Sequence, residues 1–411
     1  MDNVKKNILV VPSDTFGVGH YRSVSPHTHL DRLYGNDFNV EIKYDVNWGD
    51  LSSFDKYDLI HIHKGLYHNM EIFWKFLDYC KEKNITTVMD IDDNWEVGRQ
   101  HPLYLTNKSM KVPEKIIENI KKFDYVTTTT EIFANKIRKY NKNVFVFPNA
   151  IDPNEDQYSS VKNESKRIRF GFVMGSAHEK DMEQFKGVVN SLPKDVKDKI
   201  QIVLCGYDLR GTVNLMNPDG TLAGRRPIKP TESVWYSYER TCTDDYKECS
   251  PEYKEFLLKF LKGVQWPLIE NEVYRREWTK DVSEFAKHYR NLDVLFAPLD
   301  CNEFNEVKSE LKFIEAGFTK TAVICTDFGP YTIGSKPFFK KGGEVDTEGN
   351  CVLIDPKKKH KEWRRAIIRL VEHPEYIDML KNNLHESVKD KYNIENVTHK
   401  RAEWYKSIIK K

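Results

Sequence analysis

The sequence has 411 residues, of which 39% are hydrophobic and 31% charged, and its formal net charge is +2 at pH 7. A chain of this length exceeds one ordinary hydrophobic core, so we expect two domains. The near-neutral charge argues against nucleic-acid binding by overall charge, although a local basic surface remains compatible with it. The lysine-rich runs 357–361 and 410–411 are interpreted as solvated helix surface, with a weak membrane or polyanion contact as the alternative.

The first part of the chain alternates strand and helix signals. Strands alternating with helices predict parallel βαβ units and a doubly wound sheet. The predicted strands are 7–11, 38–43, 58–63, 86–90, 125–129 and 144–147, and the predicted helices run to about 33 and over 69–83, 112–122 and 131–140.

After a polar stretch at 152–165, interpreted as a linker, the same alternation restarts. A segment at 208–263 breaks the pattern, is rich in aromatic residues, and is interpreted as an insertion with a helix at 251–261. The fold class we predict is therefore α/β, with two Rossmann-like doubly wound domains whose strand ends face one cleft. Predicted strands of the second half are 168–174, 202–204, 294–298, 321–325 and 352–354, and predicted helices are 181–192, 283–289, one after 302, 358–371, 374–389 and 394–409.

The seven cysteines have irregular spacings and no CxxC pair, which argues against a zinc site and suggests a reducing compartment. Cys242 and Cys249 form the one close pair and are interpreted as free thiols, with a disulfide or a metal as the alternative. The apolar run 8–12 is too short for a signal peptide, and no run approaches membrane-spanning length. We expect a soluble cytoplasmic protein, with a peripheral contact to the inner membrane surface as an extension.

The loop after the first strand reads SDTFGVGHYR, residues 13–22. Gly17 and Gly19 would let the backbone approach a ligand closely, and the helix start that follows favours an anion. The dinucleotide fingerprint GxGxxG is not completed, because Tyr21 and Arg22 stand where the third glycine would be. A structural turn is the alternative interpretation.

Carboxylates follow the predicted strand 86–90, in the sequence DIDDNW. Asp90 and Asp92 have the spacing that could hold a divalent cation on diphosphate oxygens. They could equally position an acceptor hydroxyl or stabilise positive charge on a sugar ring. A structural role in capping the next turn also fits. His61 and His63 alternate on the preceding strand, and we interpret them as packed or hydrogen-bonded rather than as metal ligands.

Residues 302–317, NEFNEVKSELKFIEAG, carry the pattern most typical of a ligand site. On a helix starting near Lys308, that residue, Lys312 and Glu315 would share one face. Two cations, the Ser309 hydroxyl and free N–H groups at a helix start suit a diphosphate, and a carboxylate further along can accept hydrogen bonds from a ribose. The alternative is an amphipathic helix with solvated charges. The turn Gly175–Ser176 could likewise contact a phosphate, and His178 and Asp181 could cap the helix after it or orient each other.

Taken together and in this order, the motifs GVGHYR, DIDD, FPNAID, GFVMGSAHEKD and FNEVKSELKFIEAG resemble the retaining glycosyltransferases of the family-4 type (group 1), which have the GT-B fold. The resemblance covers nearly the whole chain apart from the insertion. It implies an acceptor-side domain at 1–152, a nucleotide-sugar domain at 165–392 with the insertion 208–263, and a C-terminal helix at 393–411 that packs on the first domain.

The resemblance also implies roles for individual residues. Glu315 matches the glutamate that binds the donor ribose, and Lys308 and Ser309 match residues that contact the diphosphate. Asp92 falls where many relatives have a histidine near the reacting sugar. The implied sites are catalytic Asp92, Lys308 and Glu303; donor-binding Gly17, Gly19, Gly175, Ser176, Lys308, Ser309 and Glu315; and acceptor-side His20, Arg22 and Asp93, with no metal.

Two departures from the family pattern leave alternatives open. The usual paired glutamates are missing, because the position that should carry the first one is Val307, so Glu303 or Glu306 would have to take its role. Asp92 also replaces the histidine. We predict a sugar transferase with a UDP- or GDP-sugar donor and a cell-surface or lipid-linked glycan as acceptor. The alternatives are a modified DNA base as acceptor, an inactive nucleotide-sugar-binding protein, and a phosphorylase or epimerase.

Overall fold

A computed structural model describes residues 4–65, 69–99, 104–217, 222–242, 274–358 and 360–410. The chain forms two compact units. The first unit combines residues 1–154, 301–314 and 388–411, and the second combines 155–300 and 315–387. Each unit contains one parallel sheet of six strands. The alternation of strand and helix signals predicts a parallel sheet in each half and all of these strands except Tyr274–Trp278 of the second unit.

The sheet of the first unit has the strand order β2-β1-β3-β4-β5-β6, and all its strand pairs are parallel. Its central strands β3 and β4 are buried at every position, because helices cover both faces of the sheet. The strands are β1 Lys6–Val11, β2 Phe38–Ile42, β3 Leu59–His63, β4 Thr86–Asp90, β5 Tyr125–Thr128 and β6 Val144–Val146.

One face of this sheet is covered by a core rich in aromatic rings. Helix Met70–Glu82 places Phe73 and Phe76 in it at 0% exposure, and Phe54 packs against Phe76 with ring centroids 4.6 Å apart. The helices of the first unit are Gly17–Gly19, Ser25–Tyr34, Met70–Glu82, Tyr104–Ser109, Val112–Lys122, Glu131–Ile137, Glu303–Glu306 and Ile394–Ile408, with a π-helical turn at His20–Val24.

The opposite face is covered by helix Ser25–Tyr34 together with the C-terminal helix Ile394–Ile408. Tyr405 from the C-terminal helix is fully buried, and its hydroxyl lies 2.8 Å from His27 Nε2 and 3.0 Å from His61 Nδ1. The C-terminal helix is therefore an integral layer of the first unit.

The sheet of the second unit has the order β11-β8-β7-β12-β13-β14 and is also parallel throughout. Its core is built from Phe170, Phe185, Phe296 and Trp363, with neighbouring ring centroids 4.7 to 5.8 Å apart. The strands are β7 Ile168–Val173, β8 Ile200–Tyr207, β11 Tyr274–Trp278, β12 Val294–Ala297, β13 Ala322–Thr326 and β14 Val352–Ile354.

The segment interpreted as an insertion begins with an antiparallel pair of strands, β9 Thr212–Met216 and β10 Leu222–Pro227, followed by helix Val234–Cys242. The helix predicted at 251–261, the rest of the insertion up to 263, and Cys249 lie outside the described residues. The remaining helices of the second unit are Glu179–Glu183, Lys194–Lys197, His360–Glu372 and Glu375–Val388, and helix Leu311–Phe318 spans the boundary between the units in sequence.

One predicted helix is much shorter than expected. The pattern predicts a helix over 181–192, whereas the structure has Glu179–Glu183 followed by turns, with Gly187 at φ +83°. A positive φ interrupts a right-handed helix, so no continuous helix can run through Gly187 to residue 192. Across the described parts of the chain, every helix falls short of the length and apolar character that a membrane span needs.

Candidate active site

Polar side chains gather at the carboxyl ends of β1, β3 and β4 in the first unit. His63 ends β3 and is 2% exposed. Its Nδ1 lies 2.6 Å from Ser13 Oγ, and its Nε2 lies 3.1 Å from Asp92 Oδ1. His63 therefore connects the loop after β1 with the loop after β4. Ligands of doubly wound sheets bind at this edge, so these contacts define the candidate site of the first unit.

Lys64 follows His63 and turns back over the same site. Its backbone is in the left-handed region at φ +64°, and Gly65 follows at φ +66°. The Lys64 Nζ lies 3.1 Å from Asp92 Oδ1 and 3.8 Å from Asp93 Oδ2. A left-handed lysine is uncommon and costs about 1–2 kcal/mol, so the surrounding contacts must hold it in place.

The two neighbouring aspartates have different electrostatic surroundings. Burial alone would raise the pKa of Asp92, but the Lys64 charge and the His63 hydrogen bond lower it below its usual range. The pKa of Asp93 is raised by burial and by the negative charge of Asp92, against the opposing effects of Lys64 and Lys308. Asp92 is thus fixed as a carboxylate, whereas Asp93 titrates more readily.

Arg22 and Asp90 lie beneath this surface as a buried ion pair. Arg22 Nε and Nη2 donate to the two oxygens of Asp90 at 2.9 and 2.7 Å, and Arg22 Nη1 donates to Phe147 O at 2.7 Å and Asn149 Oδ1 at 3.1 Å. Arg22 is 1% exposed and Asp90 is fully buried. The structure therefore places Arg22 below the loop to which it belongs, while His20, predicted beside it on the acceptor side, is partly exposed.

The loop between β1 and the first helix is organised by Asp14. Its Oδ1 accepts hydrogen bonds from Phe16 N at 2.8 Å and Gly19 N at 3.1 Å. A side chain at Gly19 would put its Cβ 2.0 Å from Asp14 O, whereas a Cβ at Gly17 would meet no atom within 4 Å. Gly19 is therefore needed to close the loop, and Gly17 leaves open space above the backbone.

The segment after β12 contributes Lys308 and Ser309 to the first unit, but not from a helix. Asn302 caps a short helix at Glu303–Glu306, and the next helix begins only at Leu311. The prediction that Lys308, Lys312 and Glu315 share one helical face was therefore wrong, because Lys308 precedes the helix start. Val307 lies between the two helices and is buried in the core of the first unit.

Contacts within the first unit hold this segment beside the β4 loop. Asn149 Nδ2 donates to Ser309 Oγ at 3.0 Å, and Asn94 Nδ2 donates to the backbone oxygen of Glu303 at 3.0 Å. The Glu303 side chain itself is exposed, and Lys308 Nζ lies 5.2 Å from the centre of the Phe304 ring. The segment that carries Lys308 and Ser309 thus lies beside the β4 loop of the first unit.

In the second unit, the turn after β7 holds Gly175 and Ser176 on the surface. Tyr238 fixes this turn, because its hydroxyl donates to Ser176 O at 3.0 Å and accepts from His178 N at 2.8 Å. His178 Nδ1 lies 2.7 Å from Asp181 Oδ2, which agrees with the prediction that these two residues orient each other.

Glu315 belongs to the second unit and is 4% exposed. Its Oε2 accepts a hydrogen bond from the Tyr289 hydroxyl at 2.9 Å. Burial, together with the Glu315 carboxylate, raises the pKa of Tyr289 well above its usual value, so Tyr289 stays protonated as the donor. This tyrosine holds one carboxylate oxygen in place.

A separate buried cluster in the second unit joins Cys205, Glu277 and His288. Glu277 Oε2 lies 3.7 Å from Cys205 Sγ and 2.9 Å from His288 Nδ1, while Asn291 and Arg275 donate to its Oε1. Thiol, imidazole, amide and guanidinium donors thus surround one carboxylate, which makes a hydrogen-bonded network. The absence of a metal site stays a prediction from sequence.

Several site residues escaped the sequence patterns. Lys64, Tyr238 and Tyr289 carry no motif of their own, and Asn149 lies in the motif FPNAID without a role assigned from sequence. The polar contacts of all four depend on tertiary structure. Lys64 and Asn149 did have one signal, because each follows a predicted strand at its carboxyl end. Tyr238 lies in the segment that sequence alone identified only as an insertion.

No protein-family model matches the sequence, and no curated protein sequence is significantly similar to it. Solved structures do resemble it. HepE of Anabaena, in complex with UDP and glucose, gives a TM-score of 0.60 at 10% identity over 98% of this chain and 100% of that one. Sucrose-phosphate synthase of Thermosynechococcus elongatus gives 0.59 at 13% identity, over 98% and 99%.

An α-glucosyltransferase in complex with UDP-glucose and DNA containing an abasic site gives a TM-score of 0.54 at 12% identity, with 98% of each chain covered. These likenesses extend over both units. They show that the chain has the GT-B fold of these glycosyltransferases, and they confirm the predicted fold class of two Rossmann-like domains.

Proposed function

We propose that this protein is a glycosyltransferase that moves a sugar from a nucleotide-diphosphate sugar to an acceptor hydroxyl with retention of anomeric configuration. The shared fold supports this proposal, as do the UDP and UDP-glucose bound by structural neighbours. A UDP-sugar is accordingly the first donor to test, with a GDP-sugar as the alternative. The prediction of the family-4 type rests on sequence motifs.

The observation that carries the proposal is the position of Lys308 and Ser309. Both lie in the segment after β12, directly before the helix that begins at Leu311. An ammonium, a hydroxyl and the N–H groups of a helix start suit the diphosphate of a nucleotide-sugar. Lys308 would stabilise the negative charge that develops on the departing diphosphate. Lys308→Ala should therefore lower turnover more than nucleotide affinity.

Glu315 supports the second part of the donor site. One of its oxygens is held by Tyr289, as described above, and a carboxylate fixed in this way can accept hydrogen bonds from the ribose hydroxyls. We assign the surface turn with Gly175 and Ser176 to binding of the phosphates. Gly17 and Gly19 are assigned to letting the backbone of the loop after β1 come close to the donor. Asp92 and Glu303 are assigned to the reacting sugar.

For the acceptor we propose a hydroxyl of a cell-surface or lipid-linked glycan. A modified base in DNA is the second candidate, favoured by the structural likeness to an α-glucosyltransferase solved with DNA. The net charge of +2 gives no general attraction to DNA. We expect radiolabelled sugar to be transferred to glycan acceptors and not to hydroxymethylated DNA. The opposite result would identify DNA as the acceptor.

The first experiment is a thermal-shift panel of UDP, GDP, ADP, CDP and dTDP, alone and as their common sugars. At ligand concentrations near 100 times the dissociation constant, one nucleotide should stabilise the protein by about 2.7 kcal/mol. Glu315→Gln keeps the side-chain volume and should lose that stabilisation. Glu375→Gln, in the first turn of a different helix, is the matched control and should keep it.

The outcomes separate the alternatives. If none of the nucleotides shifts the thermal denaturation of the protein, the proposed donor site is rejected. Nucleotide binding without release of UDP or GDP, and without transfer to any acceptor, would identify an inactive nucleotide-sugar-binding protein. Turnover of a sugar phosphate or epimerisation of the donor would indicate the phosphorylase or epimerase alternative. The anomeric proton signals of the product in a ¹H NMR spectrum test retention directly.

A further inference from the structure

The neighbouring aspartates of the β4 loop are held in different ways, and this difference carries an inference that rests on the proposed function. Asp92 is engaged by both His63 and Lys64 at 3.1 Å, and its side chain is 13% exposed. Asp93 forms one ion pair among the described residues, with Lys64 at 3.8 Å, which is longer than either contact of Asp92. The side chain of Asp93 is 37% exposed. Asp93 therefore presents the more accessible carboxylate of the two, while Asp92 is held in place through its Oδ1.

Lys64 is placed to control that carboxylate. Its strained left-handed backbone, described above, directs the side chain back across the loop to both aspartates. Non-glycine residues in such conformations concentrate at functional sites, where surrounding contacts maintain them. The ammonium binds Asp92 closely and keeps a positive charge beside Asp93, without which two adjacent carboxylates would repel each other.

The other charges around Asp93 locate it relative to the proposed donor. Asp92, Lys64, Lys308 and His63 are the titratable groups that act on it. Lys308 is the residue assigned to the departing diphosphate. Asn94, the residue after Asp93, donates to the Glu303 backbone oxygen at 3.0 Å, which holds the segment that carries Lys308 beside this loop. A hydroxyl bound by Asp93 would therefore lie near the segment assigned to the diphosphate.

We propose that Asp93 binds the reacting hydroxyl of the acceptor and that Lys64 is a positioning residue that keeps Asp93 ionised and oriented. The ionised carboxylate accepts a hydrogen bond from the hydroxyl and directs the hydroxyl oxygen toward the anomeric carbon. The bond from that carbon to the diphosphate oxygen breaks and its electron pair leaves with the diphosphate. The new bond forms to the acceptor oxygen, the hydroxyl proton passes along its hydrogen bond to the Asp93 carboxylate, and Asp93 then releases it to the departed diphosphate or to water.

The test uses water as the acceptor, because hydrolysis of the donor can be measured without knowing the natural acceptor. UDP release from UDP-glucose is measured between pH 5 and 9 in the full-length protein, alongside the affinity for UDP-glucose. Asp93→Asn keeps the shape of the side chain but accepts a weaker hydrogen bond. It should lower kcat about 100-fold, the effect of losing orientation, with the donor affinity within about threefold of wild type.

Lys64 is tested through the pH profile. Wild-type kcat should fall as the pH drops through the pKa of Asp93. Loss of the Lys64 charge raises that pKa further, so Lys64→Gln should move the acid limb to higher pH, and Lys64→Arg should restore it. Lys56→Gln removes a lysine from an ion pair with Glu41 elsewhere in the unit and should leave the profile unchanged.

The results distinguish this inference from the proposed function. If the wild type neither binds nor hydrolyses any nucleotide-sugar of the panel, the proposed function fails and this inference falls with it. If the wild type turns over and Asp93→Asn equals it, the inference is overturned while the function stands. A uniform loss in Lys64→Gln at every pH, with the acid limb unmoved, would make Lys64 merely structural.

Discussion

The Arg22–Asp90 pair sets two opposite charges in the interior of the first unit. Arg22 distributes its donors over a carboxylate, a backbone oxygen and a side-chain amide, and Asp90 also accepts from Thr127 at 2.6 Å. Every strong donor and acceptor in the pair thus has a partner, which is the condition under which a buried ion pair is tolerated. The arrangement ties the first helical segment to β4 and to the loop after β6.

Asp90→Ala is predicted to be strongly destabilising. It leaves the Arg22 guanidinium buried without its carboxylate, which typically costs about 3–5 kcal/mol. Urea unfolding followed by circular dichroism measures the loss. The control is Glu71→Ala, which breaks the exposed pair with Lys75 (side chains 80% and 68% exposed) and should cost at most about 0.5 kcal/mol. Equal losses in the two variants would contradict this account.

A second residue-scale prediction concerns pH. Burial lowers the pKa of His27 and of His61 well below the ordinary value, so both are neutral in the folded protein. The unfolded chain binds protons at these sites below about pH 6.5 while the folded one does not. Stability should therefore be complete above that pH and fall as the pH decreases, by up to about 1.4 kcal/mol per pH unit for each histidine.

The measurement is the free energy of unfolding at several values between pH 7.5 and 5. The double variant His27→Asn, His61→Asn should show a flatter dependence whatever its absolute stability. His373→Asn removes a histidine whose side chain is 48% exposed and should keep the wild-type slope. An unchanged slope in the double variant would assign the acid sensitivity to other groups.

At the scale of elements, hydrophobic periodicity located eleven of the twelve strands in the two six-stranded sheets. It missed β11 Tyr274–Trp278, because the sequence YRREW is mostly charged. β3 and β4 lie within one residue of the predicted 58–63 and 86–90, because both are short segments with several β-branched residues. The start of a helix at Leu311 could not be predicted in this way. The sequence predicts a loop and then one helix starting near Lys308, whereas the structure has a short helix Glu303–Glu306 and a second helix from Leu311, with Val307 and Glu310 buried between them.

The residues of the candidate site also fall into those that the sequence could identify and those that it could not. Asp92, Asp93, Lys308 and Ser309 could be singled out from sequence because they follow strand ends or belong to a motif. Tyr289 could not, and Lys64 had only its position after a predicted strand, because the relevance of both comes from contacts with residues distant in sequence, Glu315 and Asp92. Polar residues that act by holding other side chains leave no local pattern.

The loop after β1 allows an element-scale prediction. Gly19→Ala should destabilise the protein by at least about 1–3 kcal/mol, because its Cβ would clash with Asp14 O and force the loop open. Gly17→Ala has open space and should stay close to wild type in stability. Thermal denaturation of the two variants decides this, and a stable Gly19→Ala protein would show that the loop can rearrange.

At the scale of the whole molecule, the first unit is assembled from three segments of the chain. The last of them contains helix Ile394–Ile408, which covers Ile8, Val10 and Phe38 on one face of the sheet. Burial of that face is contributed by residues from opposite ends of the described chain. The two units accordingly do not correspond to two continuous halves of the sequence.

Truncation after Asn393 should therefore unfold or aggregate the first unit. It removes Trp404 and Tyr405 from the core and exposes their apolar partners. Size-exclusion chromatography and binding of a hydrophobic dye measure the effect. The control, truncation after Ile409, keeps the whole helix and should remain monodisperse; a well-behaved protein ending at Asn393 would refute the structural role of the helix.

The segmented first unit also has a consequence during protein synthesis. Its six strands emerge from the ribosome first, yet the helix that covers one face of their sheet is made only after the entire second unit. Until then the apolar cluster that contains Ile8, Val10, Leu30 and Phe38 lacks its partners from that helix. Such a surface is the kind that chaperones bind, so the yield of folded protein in a cell should depend on chaperone capacity and translation speed more strongly than refolding of the finished chain does.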